Sequence, residues 1–407
     1  MTQYILKNKD KIVLEFEVET IEEQSIGIID FQSYRQNINS VRINDVSLLP
    51  FGFKKDDLKD ELQSWIQNRK APKNRAFIEK ITATYGGNDR NFMLYIDVSF
   101  GLSLNDSYWI IPADKNYKWK DFNLYDNEFS EALALCAFGL KMTKINGFTS
   151  SPEFTTNGML KKCWHRDNGQ IYLYKGQSQQ YANGGREAFA EYFSSQLANF
   201  LGFNAITYNL KLFHNEIVSS CPIFTNENEG YVPIYYYLNK EKYSNKNIQS
   251  EREIMRIYGK EAFEDLMVFD ALIANQDRHL GNFGMIINNN TNEILCPAPI
   301  FDNSASLFNT LCKDEFDDIN TAIAEHKSYF GYSFDEQLKR FLQERHIEKF
   351  EKLQNFHFKK HPQFAFNEQW LEKIENYLHL KAKECLSLQN SAKSQKHNTV
   401  ISKKRRL

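Results

Sequence analysis

The chain has 407 residues, a formal net charge of −2, 25% charged residues and 14% aromatics. That length holds two or three packed units, and the balanced charge excludes a global field that would draw the chain to nucleic acid or a membrane surface. Wholesale disorder is excluded too. The six cysteines (Cys136, Cys163, Cys221, Cys296, Cys312 and Cys385) form no CxxC pair, so they read as reduced thiols in a reducing compartment. Asp10, Lys11 and Glu15 come too early for a signal peptide, and no apolar run approaches the ~20 residues of a membrane span. A soluble, cytoplasmic protein is expected.

In chain order, Ile12–Val18 and Ile26–Phe31 alternate apolar and polar residues, which predicts strands. Asp56–Asn68 turns to helical spacing, with Leu58, Leu62, Trp65 and Ile66 on one face. Ala76–Tyr85 reads as a second helix, Phe92–Val98 as a strand and Glu128–Leu140 as a helix, the last preceded by a polar loop carrying lysines and aromatics. Residues 1–145 make an N-terminal α/β module with no evident chemistry. From 146 to 238 the order is strand, strand, helix, strand, strand. Lys162–His165 and Gln170–Lys175 flank the turn Asp167-Asn168-Gly169. The Gly-rich loop Ala182–Gly185 leads into a helix over Arg186–Leu201, stopped by Gly202. Asn209–Phe213 and Glu216–Thr225 are joined at His214-Asn215. After the polar stretch Asn239–Glu253, residues 239–390 are helix-rich. Ala262–Ala274 is apolar at helical spacing, Gly284–Ile287 and Glu293–Leu295 read as a hairpin, and helices are expected at 334–345, 347–356 and 367–388. Residues 391–407, ending Lys403-Lys404-Arg405-Arg406, read as a disordered basic tail.

The chemistry concentrates in Ala274–Asn282. Asp277 and Asn282 follow a helix and precede a hairpin, and Asp302 comes twenty residues later behind Ile300-Phe301. One carboxylate to orient and deprotonate a hydroxyl, with an amide and a second carboxylate to hold Mg²⁺ on ATP phosphates, is the set that phosphoryl transfer needs. Upstream, Lys175 closes a strand and is placed to pair with the α/β-phosphates and a helix glutamate. Glu187 and Glu191 share a helix face, and Glu191 lies deeper. The loop Thr155-Thr156-Asn157-Gly158 to Lys162 offers hydroxyls and backbone N–H groups to phosphate, although it has one glycine and no Walker pattern. Pro222-Ile223-Phe224, after Cys221, is the adenine-hinge candidate by position. The basic tail reads as a solvated end, an acidic-partner site or a nuclear address.

Together these residues resemble the HipA-like serine/threonine kinases, and more closely their CtkA-like branch, whose catalytic loop reads Asp-x-His-x-x-Asn. Here that is Asp277-Arg278-His279-Leu280-Gly281-Asn282. The resemblance implies an α+β, two-lobed protein-kinase-like fold. Residues 146–238 would be its β-rich small lobe and 239–390 its helical large lobe. It implies Asp277 as general base, Asn282 and Asp302 as Mg²⁺ ligands, Lys175 as the nucleotide lysine with Glu191 as its partner, and His279 among the ATP contacts. Thr155, Gly158 and Lys162 match the spacing of the family's phosphate loop, with threonine in place of serine. Ser151, Thr155 and Thr156 are then the candidate autophosphorylation sites. The implied cofactors are ATP and Mg²⁺, and the implied partners a protein substrate and an antitoxin-like protein, with no directly bound nucleic acid. Delivery to another cell as an effector stays open. So do two other readings: a phosphatidylinositol-kinase-like lipid kinase, which shares the Asp-Arg-His-x-x-Asn signature, and a nucleotide-binding pseudokinase.

Overall fold

A computed structural model describes residues 1–24, 32–54, 57–86, 91–178, 185–238 and 248–404. The chain divides into two compact units of interleaved segments. The first takes residues 1–176, 220–237 and 284–298, and the second takes 177–219, 238–283 and 299–407. Late strands return to complete the first unit's sheets. The fold is mixed α/β with several antiparallel sheets.

In the first unit, β1 (Thr2–Asn8), β2 (Lys11–Gln24), β3 (Gln32–Ile43) and β4 (Tyr108–Pro112) form one antiparallel sheet in the order β3-β2-β1-β4. Val13, Leu14, Phe16 and Val18 are buried, while Glu15 and Glu17 take Arg42 and Ser40 of the neighbouring strand. The strand expected at Ile26–Phe31 lies outside the described residues. Helices α1 (Leu58–Arg69), α2 (Ile78–Tyr85), α3 (Leu94–Ser99), α4 (Trp119–Phe122) and α5 (Glu131–Ala137) pack in the same unit. The expected strand at Phe92–Val98 is thus a correction. Only Leu94 and Asp97 escape full burial within 92–98, and that three-residue spacing is helical, not alternating. The aromatics of the lysine-rich loop are core. Phe100, Trp109 and Trp119 cluster with Tyr117, Phe122 and Phe148, and the Phe100 and Phe148 rings stack at 4.5 Å.

Strands β5 (Lys162–Asp167) and β6 (Gln170–Lys175) form a hairpin in which Lys162 stands directly opposite Lys175. Its turn residues, Asn168 and Gly169, both take positive φ (50° and 80°), as a type I′ turn requires. Next in the chain come β7 (Asn209–Phe213) and β8 (Glu216–Pro222). The former belongs to the second unit, and the division between units falls within the latter. Finally β9 (Glu229–Pro233), β10 (Gly284–Asn288) and β11 (Ile294–Pro297) make a three-stranded sheet, β11-β10-β9. The hairpin of the last two strands was expected among the large-lobe elements. It is part of the first unit, held there by Asn8 Nδ2 on the Asn289 carbonyl (2.8 Å) and Asn292 Nδ2 on the Leu49 carbonyl (3.0 Å).

The second unit contains α6 (Glu187–Leu201), α7 (Ile248–Tyr258), α8 (Lys260–Leu272), α9 (Lys313–Asp317), α10 (Ile319–Glu325), α11 (Phe334–Phe341), α12 (Ile347–Leu353) and α13 (Glu368–Lys404). Phe189, Phe193, Leu197 and Leu201 form the buried face of α6, and Gly202 at φ 69° ends it. Leu266 to Leu272 of α8 are buried all round, so this helix is the unit's spine. The last helix runs on to Lys404, where a disordered tail was expected. Ala392, Lys393, Gln395 and Lys396 are good helix formers and no glycine or proline interrupts them. Arg405 and Arg406 lie outside the described residues, as do Ala182–Gly184 of the Gly-rich loop. No described helix is long and apolar enough to cross a membrane.

Candidate active site

In the second unit, α8 ends at Leu272 and Ala274 takes a left-handed φ of 51°, which turns the chain sharply into Asn275–Asn282. Asn275 organises the turn. Its Nδ2 donates to Asp270 Oδ1 (3.1 Å), and its Oδ1 accepts the Asp277 N–H (3.0 Å). Asn282 closes the loop by donating Nδ2 to the Asp277 carbonyl (3.0 Å), while its N–H bonds the His279 carbonyl (2.8 Å). The Asn282 amide nitrogen is therefore occupied on the loop itself, and Oδ1 is the atom with metal-ligand chemistry. His279 Nδ1 accepts the Gly281 N–H (3.0 Å).

Arg278 is the hub. Fully buried, it pairs bidentately with Asp270 of α8 (Nε–Oδ2 and Nη2–Oδ1, both 2.9 Å). It also donates to the Asn282 carbonyl (3.0 Å), to Asn303 Oδ1 (2.6 Å) and to the Phe301 carbonyl. One side chain thus joins helix, loop and the 301–303 segment. Burial is the largest single influence and lowers the guanidinium pKa, but the Asp270 charge and hydrogen bonds together with the Asp302 charge outweigh it and hold the group above its ordinary value.

Asp302 sits at φ 56°, a conformation costing a non-glycine residue about 1 kcal/mol or more. Its N–H donates to the Tyr208 hydroxyl (3.1 Å), and Oδ1 accepts from Ser304 (3.2 Å). The next N–H, of Asn303, donates to Glu191 Oε2 (2.9 Å), and Ser194 meets Ser306 at 2.8 Å. So α6 presents Glu191, wholly buried, against the Asp302 segment. Glu187 is used elsewhere, accepting from Ser178 (3.3 Å to its N–H) and from the Gly185 N–H (3.1 Å).

Burial pushes the Asp277 carboxyl above the ordinary carboxylate range. His279 pulls it back, and the Asp302 charge pushes it further up. Asn282 Oδ1 and the Asp302 carboxylate are oxygen donors of the kind Mg²⁺ takes, one or two from protein with phosphate and water completing the shell, so these are the two residues that would hold it.

The first unit holds the loop candidates. Ser151 Oγ caps the single turn Pro152–Phe154 by accepting the Glu153 N–H (3.2 Å). Thr155 Oγ1 donates to the Leu102 carbonyl (2.7 Å), and Thr156 Oγ1 donates to the Pro152 carbonyl (2.7 Å) and accepts from Trp164 Nε1 (2.9 Å). Ser151 and Thr155 are buried, and Thr156 is half-buried. Gly158 takes φ 99°, and a Cβ there would stand 2.1 Å from Lys162 Nζ, so the ammonium lies against the glycine backbone. Lys162 and Lys175, facing each other across the hairpin, are both buried, at 4% exposure. Like residues directly opposite on one face of a hairpin bring their two side chains to the same side of the sheet. At the hinge candidate, the Ile223 N–H donates to the Ile171 carbonyl of β6 (2.9 Å) and Phe224 packs edge-on to Tyr231 (5.6 Å).

Asp270, Asn275, Asn303 and the hub role of Arg278 were not read from sequence, nor was the buried pair Arg75–Glu153 beside the loop. A charged Asp270 inside the apolar run Val268-Phe269-Asp270-Ala271-Leu272 was the one available signal.

No protein-family model matches the chain. A curated relative, the serine/threonine-protein kinase CtkA of Helicobacter pylori, is 29% identical over 160 residues, which cover 35% of this chain and 48% of the relative. The chain therefore spans about half the length of the curated relative it matches. Among solved structures, the HipA toxin of Shewanella oneidensis, in complex with HipB and operator DNA, superposes with a TM-score of 0.50 at 11% identity, covering 94% of this chain and 97% of that one. The H. pylori proinflammatory kinase CtkA gives a TM-score of 0.41 at 19% identity over 57% of this chain and 89% of that one. The resemblance to HipA-like kinases, on the CtkA-like side, is thus seen in sequence with CtkA and in fold with HipA.

Proposed function

We propose that this protein is an ATP- and Mg²⁺-dependent serine/threonine protein kinase of the HipA-like type that also autophosphorylates. The observation that carries the reading is the arrangement of Asp277, Asn282 and Asp302 around the buried Arg278. Asn282 is tied to the Asp277 carbonyl, and the Asp302 charge acts on the Asp277 carboxyl.

In this reading Asp277 accepts the proton of the acceptor hydroxyl. Its raised pKa brings its basicity closer to neutrality and favours that transfer. Asn282 and Asp302 hold Mg²⁺, which neutralises phosphate charge when bound. Lys175 takes the nucleotide phosphates with Glu191 as its helix partner, and Thr155–Lys162 cradles them by backbone N–H groups. Residues 146–238 act as the small lobe of a two-lobed kinase and 239–390 as the large lobe. Of the three candidate acceptors in the loop, Thr156 is the one not buried, so it is the first autophosphorylation site on this reading. The HipA relative is seen with the partner HipB, and an antitoxin-like partner is proposed here by that analogy. The proposed site of action is the cytoplasm.

The test is transfer from labelled ATP to protein acceptors, with phosphosites mapped by mass spectrometry. Asp277→Ala should lower transfer about 10³-fold while circular dichroism and nucleotide binding hold. Wild-type transfer by the variant would remove Asp277 as the base. Transfer to phosphoinositide vesicles instead of protein would make the enzyme a lipid kinase.

A further inference from the structure

The N-terminal module shows no chemistry in its sequence, yet one of its segments runs along the whole candidate phosphate loop. The Ala71 N–H donates to the Phe154 carbonyl (2.7 Å) and the Ala76 N–H to the Met159 carbonyl (2.8 Å). Between them Arg75 enters the loop's base. Its Nη1 donates to the Glu153 carbonyl (3.1 Å) and the Thr156 carbonyl (3.2 Å), and its Nη2 donates to Glu153 Oε2 (3.1 Å) and the Lys162 carbonyl (2.5 Å). Glu153 in turn accepts the Trp164 N–H through Oε1 (2.9 Å). Both side chains are buried, at 0% and 1% exposure.

We propose that Ala71–Ala76 is a strap that positions the phosphate loop, and that Arg75 is its positioning residue. This rests on the nucleotide-binding reading of Thr155–Lys162. The physical case is geometric. A flexible loop that must offer its N–H groups to an anion loses affinity to its own disorder, and fixing it beforehand removes that loss. Turning the Thr156 carbonyl inward onto the guanidinium leaves the Asn157 N–H of the same peptide pointing the opposite way, because the two groups of a planar trans peptide are antiparallel. Arg75 holds the carbonyls of residues 153, 156 and 162, which bracket the loop at both ends. A fixed planar fork can do this, and a lysine ammonium on its flexible stem cannot reach all of them together. The strap also gives the N-terminal module a role in the proposed reaction without any contact to substrate.

The experiment uses the full chain with Arg75→Lys, and with Glu153→Gln as a second variant that preserves shape and the Trp164 acceptor. Hydrogen exchange of the peptides covering 154–162 is measured without nucleotide, and ATP affinity and the KM and kcat for ATP are measured separately. Faster exchange confined to this loop is expected in either folded variant. ATP binding should weaken about tenfold or more, with kcat at saturating ATP changed by less than about threefold. Unchanged loop exchange in a folded variant overturns the strap. So does exchange that rises equally throughout the first unit, or collapse of both variants, since either marks Arg75 as a general core residue. If the wild type binds no ATP, the kinase reading fails, and the exchange data still decide whether the strap exists.

Discussion

The two candidate regions are built on the same device at very different sequence range. In each, a buried arginine is paired to a buried acid and spreads its remaining N–H groups over backbone carbonyls. Arg278 draws all its partners from nearby chain: Asp270 is eight residues away, Asn282 four, and Phe301 and Asn303 fewer than thirty. Arg75 reaches across 78 to 87 residues, to Glu153, Thr156 and Lys162. The candidate catalytic loop therefore carries its scaffold with it as a motif. The candidate phosphate loop borrows its scaffold from a module that shares no motif with it. The local hub is a precondition for the loop's shape, whereas the distant hub can be varied apart from the residues that would touch nucleotide.

The largest effect should come from cutting each hub. Arg278→Met leaves Asp270 in the core without its ion-pair partner, held only by Asn275 Nδ2, and breaking a buried pair in this way costs about 3–5 kcal/mol. Arg75→Met should cost less. Burial already raises the Glu153 pKa even with Arg75 beside it, so the carboxyl can escape by taking up a proton. The sign follows from linkage. A carboxyl whose folded pKa lies above its unfolded value stabilises the fold at low pH, and that stability is lost as pH rises through the folded pKa. Melting temperatures of Arg75→Met should accordingly fall as pH rises from about 4 to 7. A flat profile, or a loss equal to that of Arg278→Met, would erase the contrast between the hubs.

What sequence reveals follows the same division. Asp277 and Asn282 stand out because a short loop must hold them at fixed spacing, and Asp302 because it follows the next hairpin behind Ile300-Phe301. The hairpins were visible through Asn168-Gly169 and His214-Asn215, whose positive φ values demand such residues. The helix at Leu94–Ser99 was not, since Met, Tyr, Ile and Val suit strands and only burial shows their helical spacing. The hairpin Gly284–Pro297 was read as a hairpin, but its membership of the first compact unit was not. Its ties to Asn8 and Leu49 run over more than two hundred residues. Long-range polar pairing leaves no periodic trace, and the Arg75–Glu153 pair was missed for that reason.

A smaller effect separates charge from shape in the candidate catalytic cluster. Asp302→Asn keeps the side chain's size and removes a like charge from Asp277, so the Asp277 pKa should move down towards the ordinary carboxylate range. Because Asp277 ionises above its unfolded value, the native fold loses stability as pH rises through that raised pKa, and the variant should lose less of it. Carboxylate NMR titration in EDTA reads the shift directly. An unmoved Asp277 would mean that burial, not Asp302, sets its basicity, and that the two carboxylates do not form one cation site.

The smallest effect belongs to Gly158. A Cβ there meets only the Nζ and Cε of Lys162, the far end of a flexible chain, so crowding is relieved by a rotamer change. The φ of 99° remains, and a side chain at that angle costs on the order of 1 kcal/mol. Gly158→Ala should lower the melting temperature by only a few degrees. Nucleotide affinity should fall further than stability does, because the ammonium displaced from the glycine backbone is the one opposite Lys175 and belongs to the same proposed phosphate cradle. If affinity falls no more than stability does, Lys162 acts on the fold and not on the nucleotide. The strap would then position a loop whose lysine has no part in binding.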